Sequence, residues 1–317
     1  EVIGLVGDEI VEFCNLILTI LVSFLVVSGI FCNVINVIVF VRLGLTDATN
    51  ISLLGLAVAD IGVLLTMIGY CVIFSPLTIA AVPSRDIIDA VNYVVLGTPH
   101  LVFSRISGLL TGWINISRLV CVTWPLRVNT LFTRQRTSLA VLTAYTFMFA
   151  SAVPTFIAHR IGMRFNPALN ITVVGLLFIA ETEELENITI SVNVAAQMAT
   201  FVVVTLSTLF LTRSLHKVAQ WRGSVSRQTS KSSTRDKMLV KMVILISVVF
   251  IVCSLPTVVV NEVMPFLNEF NINGRERNAF ILTCGIFFLL QSVNAAVNFF
   301  IYLAMSSKFK HSLCTMF

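Results

Sequence analysis

Seven long apolar stretches, near residues 16–41, 51–74, 90–122, 138–158, 190–212, 238–263 and 278–304, constrain this chain more than anything else in it. A bilayer core takes about 20 apolar residues per helix. Inside it each backbone polar group must find its partner within a helix or a closed barrel. The stretches therefore predict an all-α membrane protein, a bundle of seven transmembrane helices. The composition agrees, with 57% hydrophobic and 12% charged residues against roughly 45–50% apolar content in soluble domains. The third stretch is the most polar, and the gap between the fourth and fifth leaves room for a long loop.

Charge orients the bundle. Of the 21 basic residues, 15 fall after the first, third and fifth stretches or in the tail. They are Arg42, Arg118, Arg127, Arg134, Arg136, Arg213, Lys217, Arg222, Arg227, Lys231, Arg235, Lys237, Lys241, Lys308 and Lys310. Of the 16 acids, 13 lie on the opposite side. The positive-inside rule then predicts an outer N-terminus and a cytoplasmic C-terminus in a multi-pass protein. Three regions follow: 1–15 outside, 16–304 as the bundle, and 305–317 as a short amphipathic eighth helix and tail. The basic residues are divided among loops and carry no base-stacking aromatics, which argues against a nucleic-acid partner; membrane lipid is the expected surrounding. Glu1 to Asn15 is acidic, so no cleavable signal peptide is expected there. The absence of an initiator Met leaves room for a longer precursor. Trp221 to Thr234, rich in Ser, Thr, Lys and Arg, reads as a solvated linker open to kinases.

Polar residues inside the apolar stretches carry the functional signal. His100, Ser104, Ser107, Thr111, Asn115 and Arg118 recur at steps of three and four. At 3.6 residues per turn they form one stripe, so this helix is expected at the centre of the bundle. Asp60 falls near mid-membrane, where a carboxylate costs about 2.5–3.5 kcal/mol on insertion scales. It needs partners, and Asn33, Ser107, Asn294 and Asn298 are the candidates.

Several words then fall in a telling order: Asn33 after Gly29, Leu56-Ala57-Val58-Ala59-Asp60, Ser117-Arg118-Leu119 before Pro125, Cys253-Ser254-Leu255-Pro256, and Asn298-Phe299-Phe300-Ile301-Tyr302. In these the chain resembles class A (rhodopsin-like) G-protein-coupled receptors from about Asn33 to Phe309. Shorter words bring it nearest to molluscan chemosensory receptors: Arg105-Ile106-Ser107-Gly108, Cys121-Val122 with Pro125-Leu126-Arg127-Val128, Gln220-Trp221-Arg222, and Met305 to Phe309.

The resemblance implies roles. Asp60, Ser107, Asn294 and Asn298 match a pocket for a sodium ion and waters; the alternative is a hydrated polar network without the ion. No other cofactor is expected. Arg118 matches the arginine of the cytoplasmic switch, but Ser117 replaces the acid that usually precedes it. Asp236 matches its partner at the base of the sixth span, so either an Arg118–Asp236 lock closes the receptor or Asp236 is a solvated charge. Pro256 should kink the sixth helix beside Phe250, and Tyr302 should complete the switch. Arg118, Val122, Leu126 and the basic third loop match the surface for a heterotrimeric G protein. Departures are plain: Ser254 and Phe299 replace the family's tryptophan and proline, and Tyr93 stands where the outer disulfide is normally anchored. A Cys14–Cys284 bridge competes with seven free thiols. Cys314 is either palmitoylated or unmodified.

The family's binding cavity maps onto His100, Leu101, Ser104, Thr257, Asn261, Phe288 and Gln291. No acid occupies the position of His100, which argues against a cationic amine. Arg105, roughly 20 Å of helix outward of Arg118, either binds an anionic group of an odorant, amino acid or peptide, or pairs with Asp60 or backbone carbonyls. His100 is either a pH-sensitive contact or a hydrogen-bonded core residue. Sequons at Asn170 and Asn187 fall on the outer side and are expected to carry glycans. The absence of lysine between Asn278 and Ala304 excludes a retinal Schiff base. No nucleophile–base pair or metal cluster points to an enzyme. The expected function is a plasma-membrane receptor for an extracellular chemical ligand, with a neuropeptide receptor, or a transporter or channel, as alternatives.

Overall fold

The computed structural model describes residues 5–82, 85–166, 171–179, 181–225, 231–267, 269–270 and 274–316. In chain order the helices are α1 (Asp8–Arg42), α2 (Ala48–Ile73), α3 (Pro76–Ala81), α4 (Arg85–Val91), α5 (Thr98–Thr123), α6 (Pro125–Leu131), α7 (Arg134–Ala158), α8 (Thr182–Val225), α9 (Lys231–Val263), α10 (Arg277–Met305) and α11 (Ser307–Cys314). A π-helical segment, Asn92–Gly97, leads into α5. Among the described residues, seven helices are long and apolar enough to cross a membrane. These are α1, α2, α5 with its π-helical lead, α7, α8, α9 and α10.

The spans match the seven apolar stretches, but their ends do not. Helix α1 begins at Asp8, inside the segment assigned to the outer terminus, and α8 runs well past 190–212 at both ends. Hydropathy marks where a helix meets lipid, whereas the backbone ladder continues into polar turns. Asp8 and Glu9 occupy the first turn of α1, where negative charge complements the helix dipole.

Local chemistry fixes several starts. Asp47 caps α2 by accepting from the Thr49 backbone N–H at 2.9 Å, and Ser306 caps α11 through the Phe309 N–H at 3.3 Å. Proline opens α6, where its missing N–H costs nothing. Gly44, at φ 90°, turns the chain between α1 and α2.

Six spans close a ring, α1–α2–α7–α8–α9–α10, and α5 packs inside it against α2, α7, α8 and α9. The core joins Leu56 and Ala59 of α2 to Ile106 and Leu110 of α5, Met148 of α7 and Ile246 of α9. Helices α2 and α5 approach so closely that a Cβ on Gly62 would lie 2.4 Å from the Phe103 ring. Large apolar residues such as Phe24, Phe31, Leu139 and Phe300 stay exposed on the outside of the ring, as a helix bundle solvated by lipid requires.

The stretch between α7 and α8, expected as a loop, is a hairpin. Strand β1 (His159–Asn166) pairs antiparallel with β2 (Ile171–Phe178), from His159 opposite Phe178 to Asn166 opposite Ile171. At the other end of the bundle, α11 folds back to bury Phe309 against Phe40, Phe299 and Tyr302.

Candidate functional site

The polar stripe of α5 faces the interior as its period requires: His100, Ser107, Thr111 and Asn115 are all buried. Each group has somewhere to donate. Thr111 Oγ1 donates to the Ser107 carbonyl at 2.9 Å, and Asn115 Nδ2 to the Thr111 carbonyl at 3.0 Å. Ser247 of α9 donates to Asn115 Oδ1 at 2.8 Å, tying α5 to α9.

Asp60, 0% exposed, is held from two helices. Ser107 Oγ donates to Oδ1 at 2.7 Å and Asn298 Nδ2 donates to Oδ2 at 2.8 Å. Asn33, grouped with this carboxylate from the sequence, instead donates to the Gly29 and Ala295 carbonyls at 3.0 and 2.8 Å, linking α1 to α10. Asn294 faces the adjoining cavity.

That cavity, with about 40 Å³ of room for water, lies between α2, α5, α8, α9 and α10. Among the predicted ligand residues, Ser104, Arg105, Thr257 and Gln291 line it, together with Asp60, Ser107, Asn294 and Phe250. His100 is buried outside the lining and reaches it through Gln291, with Nε2 donating to Gln291 Oε1 and Nδ1 hydrogen-bonded to Thr66 at 3.0 Å. Phe288 packs edge-on against His100, and Asn261 donates to Gln197 at 3.2 Å. Leu101 does not belong here. It is 40% exposed and lies outside the lining, because one residue beyond His100 is about 100° around the helix. Gln197, Thr200 and Cys253 line the cavity and were missed. Asn193, Gln197, Thr200 and Ser207, all buried on α8, recur at steps of four, three and seven, so the periodicity test used on α5 would have found them.

At the far end, the Arg118 guanidinium donates to Thr49 Oγ1 of α2, and Ser117 folds its hydroxyl back to the Ile114 carbonyl at 2.7 Å. The side chain of Asp236 lies outside the described residues, as does Asn170. Val122 is half-buried and Leu126 is 93% exposed. Pro256 lies within α9, six residues beyond the buried Phe250. Tyr302 is buried edge-on against Phe40, at a ring distance of 5.2 Å. A cavity of about 580 Å³ opens beside it, lined by Leu53, Met242 and Met305 among others.

At the end where the chain begins, Tyr93 donates to Glu186 Oε1 at 2.6 Å. His159 Nε2 lies 3.1 Å from the same oxygen, and the Tyr93 and His159 rings pack 4.7 Å apart. This clasp joins the starts of the third and fifth spans to the end of the fourth. All seven cysteines are free, so the Cys14–Cys284 bridge is not formed. Glu186→Ala removes the acceptor of both contacts. After screening at a partly exposed carboxylate it should cost about 1 kcal/mol, seen as a lower melting temperature of the purified protein. A reducing agent should leave the melting temperature of the parent protein unchanged. Asn187 is exposed, while Thr189 of the same sequon is buried and donates to the Ser151 carbonyl at 3.1 Å.

A ring of six spans around a polar central helix, with a cavity among five of the spans and a guanidinium near one end, makes a seven-helix bundle of the kind that crosses a membrane. The chain belongs to the family described as 7 transmembrane receptor (rhodopsin family), whose model matches residues 32–302. It is therefore a rhodopsin-like G-protein-coupled receptor. No curated protein matches the chain.

Proposed function

We propose that this receptor sits in the plasma membrane with its N-terminus outside, binds an extracellular chemical ligand and activates a heterotrimeric G protein. One observation carries the reading: side chains from five spans meet at a single cavity whose wall includes Phe250, on the helix that contains Pro256. A ligand acting there can favour one packing of α9 over another, and it shifts the equilibrium only by its differential affinity for the two. The short words in which the chain resembles molluscan chemosensory receptors support an odorant, amino acid or peptide as the ligand. A neuropeptide is the alternative within the class.

Arg118, Val122, the exposed Leu126 and the basic third loop form the proposed G-protein surface, and Asp236 is the proposed partner that locks Arg118. Asp60, Ser107 and Asn294 present oxygens around one carboxylate, and Asn298 braces it. Such a donor set fits a hard cation, so sodium is the proposed occupant, neutralising a charge that is otherwise buried. Asn170 and Asn187 are the proposed glycan acceptors.

Expression with chimeric G proteins, screened against amino acids, peptides and odorants, tests the function. A second-messenger response that requires the G protein is expected. Asp60 and Arg105 on one cavity also suit a translocation path, so ligand-gated current that persists without G protein would transfer the protein to the transporter or channel class.

A further inference from the structure

We infer that the cavity among the five spans contains an anion subsite built on Arg105, which takes one compact monoanionic group. The inference rests on the cavity being the receptor's ligand site. Arg105 projects from α5 into that cavity, and among the described residues it forms no ion pair and its buried Nε has no hydrogen-bond partner. Asp60 lines the same cavity but forms no ion pair with Arg105 among the described residues; its two oxygens accept from Ser107 and Asn298. A guanidinium cannot shed its charge as a lysine can, and although Arg105 as a whole is half-buried, its sealed Nε–H costs free energy until an acceptor reaches it.

Two further groups point the same way. The hydroxyls of Thr200 and Thr257, 6% and 7% exposed, have no partner among the described residues and line the same cavity from α8 and α9. Three helices thus each contribute a buried donor that nothing described satisfies. Beside these three donors, away from the Asp60 carboxylate proposed for sodium, a cation would meet the guanidinium's repulsion, and a neutral group would leave the charge unbalanced. A monoanion satisfies all three donors, and a carboxylate matches the planar fork of arginine best. The space of about 40 Å³ suits a carboxylate head or a halide. The group comes either from the agonist, as its carboxylate, or from solution, as a free inorganic anion.

The test uses the purified full chain in detergent, with melting temperature as the readout. Chloride, formate or acetate is exchanged for gluconate at constant sodium and ionic strength. A ligand that binds only the folded state raises the melting temperature saturably, so at least one of the small anions is expected to do so. Arg105→Gln should raise the half-saturating concentration about tenfold or more, the loss of one charge-assisted hydrogen bond. Thr257→Val, which keeps the volume, should raise it about threefold, as for a neutral hydrogen bond. Saturation by chloride identifies a free inorganic anion; saturation by formate and acetate without chloride identifies a carboxylate. Equal curves for parent and Arg105→Gln, or no rise with any small anion, overturn the inference. If Arg105→Gln does not fold, the double variant Thr200→Val with Thr257→Val decides, and a half-saturation unchanged from the parent overturns it. Basal nucleotide exchange on a chimeric G protein, measured on the same preparation, separates the two readings. Exchange without an Arg105-dependent anion effect defeats the subsite alone. An Arg105-dependent anion effect, with no exchange either basally or on addition of the screened amino acids, peptides and odorants, defeats the signalling reading alone.

Discussion

Asn298→Leu should destabilise the receptor by about 2–3 kcal/mol, and Asp60→Asn added to Asn298→Asp should restore more than half of a comparable loss. The first figure follows from what the substitution leaves behind. Asp60 is wholly buried and holds only two described donors. Removing one strips a charge-assisted hydrogen bond, worth about 1.5–3 kcal/mol, from a wholly buried group. Truncating one partner of a buried charge costs more than the pair contributes, because the remaining charge stays uncompensated. The exchange of residues keeps one carboxylate facing one amide across the same 2.8 Å contact, with the charge moved from α2 to α10. Melting curves of the four proteins make a double-mutant cycle. If the doubly exchanged protein melts no higher than the worse single variant, the contact between α2 and α10 does not carry the stability assigned to it. The same preparation tests the proposed cation. Replacing choline with sodium should raise the melting temperature of the parent and leave Asp60→Asn unmoved, since the variant offers no charge to neutralise. Arg105, on the wall of the same cavity, opposes the cation. Arg105→Gln should therefore strengthen the sodium response while it removes the anion response.

The seven spans were legible because a lipid-facing helix must stay apolar for its whole crossing, which leaves a signal about 20 residues long. The inward face of α5 was legible for a related reason: a polar stripe at helical period has only one place to go. Helix ends were not, since Asp8 to Asn15 and Thr182 to Thr189 are polar enough to read as loop yet continue the backbone ladder of α1 and α8. The hairpin was missed although Ile171-Thr172-Val173-Val174 is rich in β-branched residues. The resemblance grouped Asp60 with Ser107 and Asn298, and the structure places all three in contact; nothing in their spacing alone could have paired residues 238 positions apart. It also placed Leu101 in the pocket, where helical geometry turns it away. The Tyr93–Glu186–His159 clasp escaped notice because it joins three segments through side chains that are individually unremarkable in loops. Ser247 was passed over because a single hydroxyl in an apolar helix normally bonds to its own backbone.

Ser247→Ala is expected to raise basal signalling about threefold at matched surface expression. Its hydroxyl bridges α9 to α5 through Asn115 Oδ1 at 2.8 Å, and both residues are 0% exposed. The same hydroxyl lies 2.7 Å from the Val243 carbonyl of its own helix. One proton serves two acceptors, so if α9 moves away the serine still has a partner, and what is lost is the satisfaction of Asn115. Hydrogen bonds between membrane helices average about 0.6 kcal/mol and reach about 1.7, which converts to roughly 3-fold and 18-fold in the ratio of two packings. The competing carbonyl puts this bond at the lower end. Asn115→Ala should act in the same direction, and combining it with Ser247→Ala should add nothing, because both remove one contact. Asp236→Ala removes a different restraint, the proposed lock on Arg118, and its effect should multiply with that of Ser247→Ala. Basal nucleotide exchange on a chimeric G protein reads all of these. An unchanged rate in Ser247→Ala, or a double variant with Asn115→Ala whose effect is the product of the two singles, would show that the two helices are held together elsewhere. An unchanged rate in Asp236→Ala would remove the lock while leaving the α5–α9 latch intact.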